Sequence, residues 1–118
     1  MRTITGQMAY DEELANRIRE LVADEPALAE KKMFGGLSFL VNGNMAVAAS
    51  GQGGLLVRVD PAESDELTRG SGARLMEMRG REMPGWLRVD AGAVPTKDAL
   101  SAWVERGVSF ARSLRPKN

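Results

Sequence analysis

Leu14, Ile18, Leu21 and Val22 recur at i, i+4, i+7 and i+8, the spacing that puts apolar side chains on one face of a helix. They predict a helix over residues 11–23. Asp11, Glu12 and Glu13 open it, where the positive end of the helix dipole favours carboxylates, and Pro26 lies just past its end. Between residues 31 and 60 the period shortens. Leu37–Val41, Met45–Ala49 and Leu55–Val59 are short apolar runs separated by Asn42-Gly43-Asn44 and by Gly51-Gln52-Gly53-Gly54. Asn-Gly between two such runs is a strong hairpin signal, because a type I′ turn needs positive φ at both central residues. Connections this short predict antiparallel pairing. Lys31 to Phe34 predicts an additional strand that breaks at Gly35-Gly36.

Asp60-Pro61-Ala62-Glu63 carries the signals of a helix start, an acceptor side chain followed by proline at the first helical position. That helix is short, running to about Arg69 before Gly70-Ser71-Gly72. Residues 74–78 and 86–90 read as two strands around Gly80 and a Pro84-Gly85 turn. The last helix spans Lys97–Ser113 with Thr96 as its cap. Leu100, Trp103, Val104, Val108, Ala111 and Leu114 form its apolar stripe, widened by Phe110, and Trp103 and Phe110 are assigned to the core. Gly107 lies on the stripe at a cost of about 1 kcal/mol against alanine, which points to close packing there. The order α-βββ(β)-α-ββ-α predicts a two-layer α+β domain, with an antiparallel sheet of about five strands packed by helices. One domain covers residues 9–114, after a leader at 1–8 and before an unstructured tail, Arg115-Pro116-Lys117-Asn118.

Composition narrows the chemistry. The chain has 118 residues, no cysteine and no histidine, which removes disulfides, Cys/His zinc sites and imidazole-based triads. The glycine-rich segments lead into β-type sequence and not into helices, so they read as turns and not as phosphate cradles. Carboxylates sit on helix faces and caps, without the spacing of a calcium loop or the apolar setting of an acid–base pair. Neither an enzyme nor a cofactor is expected. No apolar run is long enough for a membrane span, and nothing near the N-terminus reads as a targeting signal, so the cytoplasm is the expected compartment. The strand-borne Met33, Met45, Met76, Met78 and Met83 read as core filler.

Charge is balanced, with sixteen Lys/Arg against sixteen Asp/Glu, but unevenly placed. Residues 9–30 hold seven acids and two bases, whereas residues 31–118 hold nine acids and thirteen bases. Strand alternation puts Leu55, Val57 and Val59 opposite Leu56 and Arg58, and Leu87 and Val89 opposite Trp86 and Arg88. With the apolar sets facing helices, Arg58, Trp86 and Arg88 share the open face of the sheet. Arg79 and Arg81 lie in the nearby turn, and Lys31 and Lys32 add to the basic set. Such a surface reads in three ways: a solvated rim, a protein-binding or self-association surface, or a nucleic-acid surface. Neutral net charge disfavours the last. On the binding readings, Trp86→Ala weakens association without unfolding the domain.

Four segments occur in order: Lys31-Lys32-Met33-Phe34-Gly35-Gly36, Asn42-Gly43-Asn44-Met45-Ala46, Leu56-Val57-Arg58-Val59 and Gly80-Arg81-Glu82-Met83-Pro84-Gly85-Trp86. This combination resembles the N-terminal domain of the TfoX/Sxy family, bacterial regulators of natural competence, over roughly residues 9–114. The resemblance implies a two-layer α+β fold and a regulatory role in transcription, exercised with a protein partner of the transcription machinery. It supplies no catalytic or binding residues. Full-length members carry a second, helical domain, and this chain is expected to be a stand-alone copy of the first. A non-enzymatic adaptor acting through protein contacts, homodimerisation among them, is the expected function, with a nucleic-acid-binding module as the alternative and a small-ligand binder behind it.

Overall fold

The computed structural model describes residues 10–33, 35–69 and 72–117. The leader expected at 1–8 lies outside them, as do Phe34 at the end of the additional strand, Gly70-Ser71 and Asn118. Helix α1 spans Glu12–Leu21 and is capped by Asp11, whose carboxylate accepts from Leu14 N at 3.1 Å. Four strands follow: β1 (Leu28–Met33), β2 (Gly36–Val41), β3 (Asn44–Ala49) and β4 (Leu55–Arg58). The expected additional strand is therefore real and begins earlier, at Leu28. Asn42 and Gly43 have φ of 55° and 80°, the type I′ geometry that the Asn-Gly pair predicts.

Asp60 accepts from Ala62 N at 2.9 Å and starts a 3-10 turn, Pro61–Glu63, which runs into helix α2 (Ser64–Leu67). Strands β5 (Ala73–Met78) and β6 (Arg81–Val89) come next, then helix α3 (Lys97–Ser113), capped by Thr96, which accepts from Ala99 N at 3.1 Å. The hairpin between β5 and β6 turns at Arg79-Gly80, with φ of 55° and 79°. Pro84-Gly85, expected as that turn, instead lies inside β6. There Met76 pairs with Met83 while Leu75 pairs with Leu87, so residues 84–86 form a bulge. Proline supplies no ladder donor, and the bulge turns Gly85 N towards the buried Ser64 Oγ, 2.6 Å away.

The six strands form one antiparallel sheet in the order β1-β2-β3-β4-β6-β5. Helices α1 and α3 cover one face. Phe39, Val47, Leu55, Val57 and Leu87 from the sheet meet Leu14, Ile18, Leu100 and Val104 from the helices, all buried. Each such side chain contributes roughly 1.5–3 kcal/mol on burial. In β3 the register slips: Phe39 pairs with Val47 and Leu40 with Met45, leaving Ala46 as an extra, buried residue. A Cβ at Gly107 of α3 would collide with the Ala46 carbonyl oxygen. The glycine thus lets the helix lie directly on the strand backbone, the close packing its position suggests.

Three expectations need correction. The second face of the sheet is not open: Met45, Ala48, Leu56 and Met76 form a small buried cluster there, with Trp86 packed against it. Met33 of edge strand β1 and Met76 of edge strand β5 line the same hollow over that face, so side chains from both edges reach over it. Trp103 is half-buried and packs against the core, as expected, whereas Phe110 is half-buried and flanks the α3 stripe instead of joining the core. The tail is tied down through residue 117, since Lys117 N donates to Asn42 O at 2.7 Å and Asn44 Nδ2 donates to Arg115 O at 2.9 Å.

Edge strand β1 is held to α1 by Arg19, whose guanidinium meets both carboxylate oxygens of Glu30 at 2.6 and 2.9 Å. That hydrogen bonding holds the Glu30 carboxyl below its usual range. A carboxylate with a depressed pKa contributes stability that is present above its unfolded value, about 4.3, and lost as pH falls through the folded value. Glu30→Gln therefore gives a shallower acid-side loss of stability than wild type in urea melts across that window. Gly107→Ala is expected to lower the unfolding free energy by about 2 kcal/mol through overpacking, outweighing its helix-propensity gain of about 1 kcal/mol, as read by urea denaturation.

Candidate functional site

The second sheet face takes its polar groups from two cross-strand rows. One row runs Lys31, Ser38, Ala48, Leu56, Arg88 and Arg74, each directly opposite the next. Directly opposed residues in antiparallel strands point to the same face. The other row contains Arg58 opposite Trp86. Arg58, Trp86 and Arg88 thus occupy neighbouring positions on one face, as strand alternation predicts. Arg58 and Trp86 meet, but Arg88 turns away from them. The Arg58 guanidinium lies 5.0 Å from the Trp86 ring centroid and 5.7 Å from that of Phe110. Arg88 reaches the opposite way, towards Ser50, donating from Nη1 to Oγ at 3.1 Å.

The remaining sequence candidates do not join them. Arg79 and Arg81 are exposed at the β5–β6 hairpin. Arg81 is five residues from Trp86, roughly 16 Å along an extended strand. Lys31 and Lys32 fall on opposite faces of β1: Lys31 opposes Ser38 on the second face, and Lys32 opposes Leu37 on the helix-covered face. Both are exposed.

Arg58 sits between two half-buried rings and forms no ion pair with a described carboxylate. A guanidinium over an aromatic face gains about 0.5–2 kcal/mol, more as water is excluded. Beside Phe110 runs a groove of about 470 Å³, lined by Asp60, Glu63, Ala102, Glu105, Arg106 and Ser109 among others. One wall is α3 and the other carries Asp60 and Glu63; further along α3 the Arg106 guanidinium lies 5.9 Å from the Trp103 ring centroid. The surface therefore combines stacked arginines, half-buried rings and three carboxylates. Among the described residues no three acidic side chains gather as metal ligands, and no helix is long and apolar enough to cross a membrane.

This arrangement and the β-meander that frames it sit within a stretch recognised by sequence. The profile of the TfoX N-terminal domain matches residues 20–111. The chain belongs to the TfoX N-terminal domain family. No curated protein matches the sequence. The match runs from Glu20 in α1 to Ala111 in α3, so it takes in all six strands of this TfoX N-terminal domain.

Phe110 is the member of the site that the sequence reading misplaces in the core. Trp103, Arg106 and Phe110 stand at i, i+3 and i+7, a second stripe beside the buried one, and an arginine between two aromatics is the signal that it faces outward. Trp86 plays a double part, stacking on Arg58 and packing on the Met45–Leu56–Met76 cluster. The sequence expectation that Trp86→Ala spares the fold is accordingly replaced: it should destabilise by about 2 kcal/mol, less than the roughly 3–5 kcal/mol of a fully buried aromatic. Chemical denaturation of the purified variant checks this.

Proposed function

We propose that this TfoX N-terminal domain is a cytoplasmic, non-enzymatic adaptor in transcription regulation that acts by binding a protein partner at Arg58, Phe110 and the adjoining groove. The observation behind this reading is the Arg58 guanidinium held between Trp86 and Phe110 with no ion pair to a carboxylate among the described residues. Arginine and tryptophan dominate binding hot spots, where a pre-positioned side chain loses little entropy on docking. The free guanidinium suits a carbonyl or carboxylate of the partner. The carboxylates of Asp60, Glu63 and Glu105 suit a lysine or arginine a few residues along the same segment. These carboxylates also disfavour the nucleic-acid reading, because a phosphate backbone brought to Phe110 would meet three like charges.

Panning a displayed peptide library against the intact domain tests the proposal. Selected peptides should carry basic and acidic or polar residues in alternation. They should bind Phe110→Ala at least ~10-fold more weakly, a hot-spot effect of ~1.4 kcal/mol or more, while its melting temperature stays near that of wild type. A labelled DNA duplex should give no anisotropy change even at low salt. Duplex binding that falls steeply with salt and disappears in Arg58→Gln would replace the protein partner with nucleic acid.

A further inference from the structure

At the opposite end of the second face lies a hollow of about 30 Å³, enclosed by Met33, Ser38, Ser50, Met76 and Arg88 over a floor of Ala48 and Leu56. A polar hollow of that size takes one atom-sized or water-sized guest. Ser38 is 1 % exposed, and among the described residues its Oγ is the buried side-chain atom with no hydrogen-bond partner. Leaving a buried hydroxyl unpaired costs about 1–3 kcal/mol, so a guest that meets it is favoured.

The surrounding groups specify the guest's charge. Ser50 Oγ accepts from Gln52 N and from Arg88 Nη1, each at 3.1 Å. Both of its lone pairs are thereby used, leaving only its proton to give. The Arg88 guanidinium has further N–H donors and forms no ion pair with a described carboxylate. Ser38 has a proton to give as well. The methionine, alanine and leucine side chains offer no strong acceptor. Two hydroxyls and a guanidinium therefore line one small space; an anion can accept from all three at once, whereas a water, although it can donate to the free lone pairs of Ser38 Oγ, brings no charge to offset the guanidinium. Lys31 and Arg74 flank this row. Among the described residues Arg74 is ion-paired, to Asp90 at 2.8 Å, and Lys31 is not, so the charge beside the hollow is positive.

We propose that this hollow is a binding site for a single monatomic anion of chloride size, held by Ser38 Oγ, Ser50 Oγ and Arg88. The site closes the second core: it pins the β3–β4 turn to β6 and satisfies the one buried hydroxyl of β2.

Thermal unfolding of the intact protein in sodium chloride and in sodium gluconate, at equal ionic strength, tests the proposal through a change of sign. Without a fitting anion, Ser38→Ala removes only an unpaired hydroxyl and raises the melting temperature. In chloride it removes a ligand and lowers the melting temperature below that of wild type. Chloride NMR line broadening by the wild-type protein gives a second readout. Arg88→Gln should weaken chloride at least ~10-fold, the loss of a charge-assisted hydrogen bond, and Arg74→Gln should leave the broadening in place. An equal effect of Ser38→Ala in both salts, or equal broadening by wild type and Arg88→Gln, overturns the anion and leaves a water there.

Discussion

The contact on which the other features of the structure hang is the one between Gly107 and the Ala46 carbonyl. The extra residue in β3 pushes that carbonyl out of the sheet, and the missing side chain on α3 lets the helix axis come down onto it. Because α3 lies so close, Phe110, three residues further along, reaches the end of β4 and meets Arg58. The same bulge increases the local twist of the sheet. On the other face Met33 and Met76, from the two edge strands, line one hollow. The close approach of α3 on one face thus starts from an irregularity in β3, and the second bulge, at residues 84–86 of β6, lies on the side of the sheet that supplies Met76.

Much of this architecture could be read from the chain. Helix periods, the Asn42-Gly43 turn, the Asp60-Pro61 start and the Thr96 cap are local signals, and the structure keeps each of them. The misreadings involve long-range partners. Pro84-Gly85 has the composition of a turn, but Ser64, twenty-one residues away in sequence, fixes Gly85 inside a strand. Arg79-Gly80 lacks the usual asparagine and still takes the tight turn, because the β5–β6 pairing on either side sets it. Alternation put Arg58, Trp86 and Arg88 on one face correctly. It could not tell which way a long side chain leans, nor that side chains from both edges reach over the face.

The two arginines illustrate how one face serves two ends. Arg58 is kept from carboxylates by two rings and stays available at the rim. Arg88, two strand positions along from Trp86, is drawn inward by a serine. A cation near a sheet surface can therefore read as part of a patch while belonging to a different local environment, and net charge averages over that distinction.

The sheet has two free edges, and its first strand shows how a small domain with exposed backbone stays dispersed. Lys31 and Lys32 project to opposite faces of β1, so a strand from another chain laid along this edge would trap an ammonium group against whichever layer it extended. Charges on an edge strand oppose fibre-like stacking. The pair of lysines, unremarkable as a basic patch, places one exposed ammonium group on each face of this edge.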